Sequence, residues 1–261
     1  MRLGGLRTGC ISLAMRRGLS AVLALASLTG AETKKCTGTL YLTVDTGSMS
    51  QAERIRTMLK KHGVKATFFV AQERTIHEDK SLDASWAPYW KSLVADGHSF
   101  GSHTFRHGKL TGDTPNGRIK YLVNGKTELL TKATFCEELR RSDIRFAELT
   151  GRKLDGFWRA PGGHTTPKAI EYAASCGYRH VDWAPAGFLG DELSSEKYPN
   201  ALLLKRALAN LKAGDILMMH LGIWSRKDPW APQLDPLLTG LEAKGYCFAT
   251  IEEKYGLVYG R

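Results

Sequence analysis

Short apolar runs and amphipathic stripes alternate along most of this chain. Thr39-Leu40-Tyr41-Leu42-Thr43-Val44 is β-branched, aromatic or aliphatic at every position and reads as a buried strand. Ile55, Met58 and Leu59 then fall at i, i+3 and i+4, so a helix is expected from a cap at Ser48 or Ser50 to about His62, with Gly63 ending it. Ala66-Thr67-Phe68-Phe69-Val70-Ala71 is a second strand. The same reading gives helices over 85–96, 134–149, 166–176, 200–212 and 233–244, and strands over 99–101, 156–159, 178–183, 215–220 and 246–251. Strand and helix alternate about seven times, which predicts an α/β fold with a parallel sheet. The length suits an irregular (β/α)7-type barrel, with an open doubly wound sheet as the alternative. No Gly-rich nucleotide fingerprint follows any strand. One stretch breaks the rhythm. Ile119-Lys120-Tyr121-Leu122-Val123 and Lys126-Thr127-Glu128-Leu129-Leu130 flank Asn124-Gly125, a hairpin signal inside an insertion at 110–132 placed to overhang a site.

With 43% hydrophobic and 24% charged residues among 261, the chain can cover the entropy of folding and is neither disordered nor low-complexity. Its formal net charge of +11 allows nucleic acid, an acidic membrane surface or an acidic polymer as partner. Part of that charge is local. Arg2, Arg7, Arg16 and Arg17 precede an apolar run from Leu19 to Leu28 and the small residues Thr29-Gly30-Ala31, with no acid before Glu32. This predicts a secretory signal peptide over 1–31, a single domain over 32–261 and a periplasmic or secreted location. Met15 offers a second start, giving a more compact leader. The apolar run is about half the roughly 20 residues of a membrane span, so no stable span is expected after cleavage; an uncleaved N-terminal anchor is the alternative. Without the leader the net charge drops to about +7. No basic run interleaved with aromatics is present, which argues against nucleic acid. Cys36, Cys136, Cys176 and Cys247 remain, with no CxxC pair to suggest a zinc-thiolate site. In an oxidising compartment three disulfide pairings are open. Cys36 with Cys247 is preferred, because the two flank the first and last strands, neighbours in a closed barrel; four buried thiols are the alternative.

Parallel α/β folds gather chemistry at the carboxyl ends of their strands. There the sequence has Asp45, then His103 and His107, then Arg159, then Asp182-Trp183, then His220. Each alone has a structural explanation. Two histidines at i, i+4 are the sharper sign, since that spacing can aim both rings at one metal.

In this order the motifs resemble the polysaccharide deacetylases of the NodB-homology group, carbohydrate esterase family four. Thr43-Val44-Asp45-Thr46-Gly47, His103-Thr104-Phe105-Arg106-His107, Arg159-Ala160-Pro161-Gly162-Gly163 and Leu217-Met218-Met219-His220 carry the resemblance, which covers about residues 38–252. It implies an irregular barrel with a groove across its top and a divalent metal: zinc, or else cobalt or nickel. The implied substrate is an N-acetylated glycan polymer or oligomer. By position, Asp45 is the general base, His103 and His107 are metal ligands, Arg159 holds the base carboxylate, Asp182 orients the second histidine and His220 is the general acid.

The chain departs from the pattern at three places. Thr46 stands where the family has a second Asp, normally a metal ligand, so Thr46 is at most a weak one. Asp191 lies beyond the altered Asp182-Trp183 motif, as part of that loop's chemistry or as a turn cap. Gly162 replaces an aromatic after Pro161, removing a wall of the groove. Trp183, Pro161, Gly162, Trp224 and Trp230 are candidate substrate contacts, the last two either stacking platforms or anchors of their Pro-rich loop. Trp86, Tyr89 and Trp90, at helical spacing, are expected in the core. The activity expected is hydrolysis of N-acetyl groups on an amino-sugar polymer. A non-catalytic glycan binder and an amidase for small amides are the alternatives.

Overall fold

The computed structural model describes residues 36–256, within a unit spanning 35–261. The expected signal peptide lies outside the described residues. Strands β1 (Gly38–Asp45), β2 (Thr67–Val70), β3 (Ser99–Ser102), β7 (Phe157–Trp158), β8 (Arg179–His180), β9 (Ile216–His220) and β10 (Tyr246–Phe248) make one parallel sheet. Its order is β10-β1-β2-β3-β7-β8, with β9 also paired to β1. The sheet curls into a half-barrel flanked by helices α1 (Ala52–His62), α2 (Ala87–Ala95), α3 (Lys132–Thr150), α4 (Pro167–Ser175), α5 (Asn200–Asn210) and α6 (Leu234–Ala243). Each predicted strand and helix is present, and Gly63 closes α1 in the left-handed region as expected.

Alternation along β1 sorts its side chains between two environments. Leu40, Leu42 and Val44 join Phe68, Val70 and Phe100 in the large cluster packed by the helices, which also takes Tyr89 and Trp90. The intervening positions include Tyr41, which packs with Phe69, Phe157, Val181 and Ile216 in a smaller cluster, and the polar Thr43 and Asp45. Between β8 and β9 a segment with a 3-10 turn at Pro185–Gly187 runs beside β9. Ala184 N–H donates to Ile216 O at 3.1 Å, and Leu189 N–H to Met218 O at 3.3 Å. The approach is so close that a Cβ on Gly187 would sit 2.0 Å from Ile216 O, so only glycine fits.

The insertion is larger than a hairpin. β4 (Lys109–Asp113), β5 (Ile119–Val123) and β6 (Lys126–Leu130) form an antiparallel sheet of order β4-β5-β6. Asn124 and Gly125 both have positive φ, the geometry of a tight two-residue turn. Leu110, Ile119, Tyr121, Val123 and Leu130 seat this sheet on Phe135, Leu139 and Trp158. Two disulfides close the fold. Cys36–Cys247 is the pairing preferred from the sequence, and Cys136–Cys176 ties α3 to the end of α4. Among the described residues no helix is long and apolar enough to cross a membrane.

Candidate active site

Strand register assembles the rim. Asp45 pairs with His220 on one side and Phe69 on the other, while Val70 pairs with Ser102 and Ser102 with Trp158. His103 and Arg159 therefore follow directly on paired residues. Ladder hydrogen bonds continue past the strand ends: His103 N–H donates to Val70 O and Arg159 N–H to Ser102 O, each at 2.9 Å. The backbone at Asp45, His103, Arg159 and His220 is thus fixed by the sheet.

Asp45 and Arg159 are buried, and Arg159 Nη1 donates to Asp45 Oδ1 at 2.9 Å and to Thr43 Oγ1 at 2.7 Å. The guanidinium lies over the Phe69 ring, 4.3 Å from its centre. Burial alone would raise the Asp45 pKa, but Arg159, His103 and His220 outweigh it and hold the carboxyl below its ordinary value. His103 Nδ1 lies 3.0 Å from Arg159 O, and a carbonyl can only accept, so the proton sits on Nδ1 and Nε2 keeps its lone pair. Burial pushes the His103 pKa down to about 3, with His107 and Arg159 adding to the shift, so the ring is neutral. Its Nε2 faces Asp45 Oδ2 at 3.6 Å. The His103 and His107 ring centres are 4.8 Å apart. Thr104 and His107 both adopt positive φ, a strained arrangement that needs outside support.

That support comes from β5. Tyr121 Oη receives the Gly108 N–H at 2.8 Å and lies 3.1 Å from Thr104 Oγ1 and 3.0 Å from Glu138 Oε1. Buried Glu138 also takes Arg106 N–H at 2.6 Å and Arg106 Nε–H at 2.9 Å. The insertion therefore braces the histidine loop.

On the opposite side His220 Nδ1–H donates to Asp191, 3.1 Å from Oδ1, and the same carboxylate takes the His220 backbone N–H at 2.7 Å. Burial opposes protonation of this ring, but Asp191, with smaller help from Asp45 and Glu192, lifts its pKa to about 9. The role expected of Asp182 thus has its geometry at Asp191. Asp182 is exposed, and its carboxylate takes the N–H of the next residue, Trp183, because the chain turns there and carries it off the rim.

Thr46 is also in a different relation from a ligand. Its hydroxyl is fully buried and donates to Glu73 Oε2, while Ala71 N–H donates to it at 3.3 Å. Glu73 Oε1 in turn lies 3.5 Å from His107 Nδ1. Glu73 escaped the sequence reading because it lies three residues past the end of β2, whereas Asp45 is the last residue of β1. Among the described residues no three His, Cys, Asp or Glu side chains stand as a ready-made cation cluster. The donor chemistry of the two imidazoles, one with its lone pair fixed, nevertheless suits a divalent metal.

Of the substrate candidates, Trp224 is 59% exposed, with the Arg74 guanidinium over one face of its ring, 5.6 Å from the centre. Trp230 is 1% exposed and packs into the large core cluster, so it anchors its loop and offers no platform. Trp183 is half-buried between Arg159 and Gly163, where a Cβ would stand 2.7 Å from the indole. Pro161 is buried; Gly162 is exposed, with Lys109 of β4 beside it.

A parallel half-barrel thus carries an Arg-held carboxylate, a His pair and an Asp-held histidine on one rim. The profile of the polysaccharide deacetylase family matches residues 32–181, more than half of the chain, and the chain belongs to that family. It is 29% identical over 219 residues to the peptidoglycan-N-acetylglucosamine deacetylase PgdA of Listeria monocytogenes, covering 83% of this chain and 39% of that protein. It is 26% identical to the peptidoglycan-N-acetylmuramic acid deacetylase PdaA of Bacillus subtilis, covering 82% and 70%. The chain spans only about half or less of the first curated relatives it matches, 52% of B. subtilis YlxY and 39% of PgdA. Solved structures share the fold. The Bc1960 peptidoglycan N-acetylglucosamine deacetylase aligns with TM-score 0.66 at 20% identity, covering 85% and 90%. The Bacillus anthracis protein BA3943, a pseudoenzyme of the same esterase family, aligns with TM-score 0.62 at 21% identity, covering 83% and 64%. A mutant of it is described as having restored activity.

Proposed function

We propose that this protein is an exported, metal-dependent deacetylase that hydrolyses N-acetyl groups on an amino-sugar polymer. The observation that carries this reading is the pairing of Asp45 and His220 as strand neighbours, each held by an oppositely charged partner. Asp45, kept ionised by Arg159, is the base: it takes a proton from water as the water oxygen bonds to the acetyl carbonyl carbon. His220, kept protonated by Asp191, presents Nε2–H to the amide nitrogen and gives up that proton as the C–N bond breaks. The products are acetate and a free amine. His103 and His107 would hold the cation, which when bound polarises the carbonyl and lowers the pKa of water. Trp224 offers a face for a sugar ring. Two disulfides and the leader-like segment 1–31 support export. Two relatives are named for peptidoglycan, so cell-wall glycan is the first polymer to try.

Thr46 favours a second reading, a glycan binder without catalysis. Acetate release separates the two. Purified protein supplied with zinc or cobalt should liberate acetate from peptidoglycan or chitooligosaccharides, a chelator should stop it, and Asp45→Asn should lower kcat by about 10²–10⁴-fold. Saturable glycan binding with no acetate under any metal would establish the binder instead.

A further inference from the structure

We propose that Glu73 supplies the carboxylate donor that Thr46 lacks, completing a His103–His107–Glu73 site, so that the metal centre draws its acid from β2 instead of β1. This rests on the metal-dependent reading above. Glu73 follows Val70, the last residue of β2, by three positions. Its backbone is fixed by Ser81, which receives the Glu73 N–H at 3.0 Å through Oγ and donates its own N–H to Glu73 O at 2.8 Å. The carboxylate then reaches in front of Thr46. A Glu is one methylene longer than an Asp, which offsets its origin on the neighbouring strand.

The two oxygens of Glu73 have separate partners. Oε2 receives the Thr46 hydroxyl, and Oε1 faces His107 Nδ1 at 3.5 Å. Two donors bound at about 2.0–2.1 Å on one tetrahedral cation stand about 3.3 Å apart, so a small shift admits an ion between them. Thr46 is then an orienting group that donates to the ligand, the usual way a neighbouring residue fixes a metal-bound carboxylate. Asp45 is less suited to this post. Its Oδ1 and its charge are committed to buried Arg159. The Glu73 carboxylate has no lysine or arginine partner among the described residues; the only charged or chargeable side chain it meets is His107.

The test is zinc and cobalt binding by the full-length protein, measured by calorimetry and by cobalt absorption. Glu73→Gln should weaken zinc binding about tenfold or more. Adding Thr46→Asp to that variant should restore most of the affinity, which also shows that the fold survives. Thr46→Asp alone should gain little, because two carboxylates then crowd one another. Glu73→Cys loaded with cobalt should show a thiolate-to-metal charge-transfer band in the near ultraviolet, the mark of a direct bond. If the parent protein binds zinc and Glu73→Gln binds it within about twofold as tightly, the Glu73 assignment is overturned while the metal-dependent reading stands. If Glu73→Gln weakens zinc but Glu73→Cys gives no charge-transfer band, direct ligation by Glu73 is overturned. If the parent protein binds neither zinc nor cobalt, the metal-dependent reading itself is overturned, and this inference with it.

Discussion

Asp191 and Asp182 show how little separates, in a sequence, an acid that reaches His220 from one that does not. Both lie between β8 and β9, and the family pattern points to Asp182. Only the fold reveals that Asp191 receives both the ring and the backbone N–H of His220. The consequence can be measured. A general acid must be protonated, so the rate holds below its pKa and falls as the pH rises through it. With His220 lifted to about 9, the alkaline limb of kcat/KM should lie near pH 9. Asp191→Asn should drag that limb down toward 6.5, the ordinary histidine value, and cut the rate at pH 8 about 10–100-fold. Asp182→Asn should leave the limb in place. A pH–rate profile of the three proteins decides the matter. Asp45, His103, Arg159 and His220 were legible because each ends a strand that the apolar pattern identifies or directly follows one, and His107 because it stands at i+4 from His103. Glu73 lies three residues past β2, and no motif surrounds it.

Among the elements, the parallel strands and the flanking helices were readable from their apolar periodicity. Two short ones were not. β4 buries only Leu110 and carries a register shift between Leu110 and Gly112, so its alternation is broken after three residues. A last helix, α7 (Ile251–Tyr255), has only five residues, too few to show a period, and the structure holds it with a capping box of Thr250 and Glu253. The insertion has a use that the hairpin signal could not convey, because the hydroxyl of Tyr121 reaches partners outside the hairpin, Thr104, Gly108 and Glu138. Tyr121→Phe removes the shared hydroxyl from Gly108, Thr104 and Glu138, leaving buried polar groups unpaired at a cost of about 1–3 kcal/mol. The strained His107 should then be less well held. Denaturant unfolding should register the lost stability, and zinc titration should show weaker binding with an unchanged number of sites.

For the molecule as a whole, the disulfides matter more than the modest positive charge. Cys36–Cys247 joins residues 211 apart, so it restricts nearly the entire unfolded chain. Replacing both with serine should cost about 2–5 kcal/mol and lower Tm on the order of 10 °C, read by calorimetry against the parent. A reductant should have the same effect on the parent and little further effect on the variant apart from the share due to Cys136–Cys176.

The position of β1 has a kinetic consequence. It is the first strand made, yet it pairs with β9 and β10, close to the end of the chain. Contacts of such long sequence separation are slow to form, since loop closure must precede any gain from pairing. Until Ile216–Phe248 emerges, β1 is an open edge and Asp45 has no His220 beside it. The Asp45–His220 pair therefore depends on strands from both ends of the described chain, and a chain cut short before β9 would lack it.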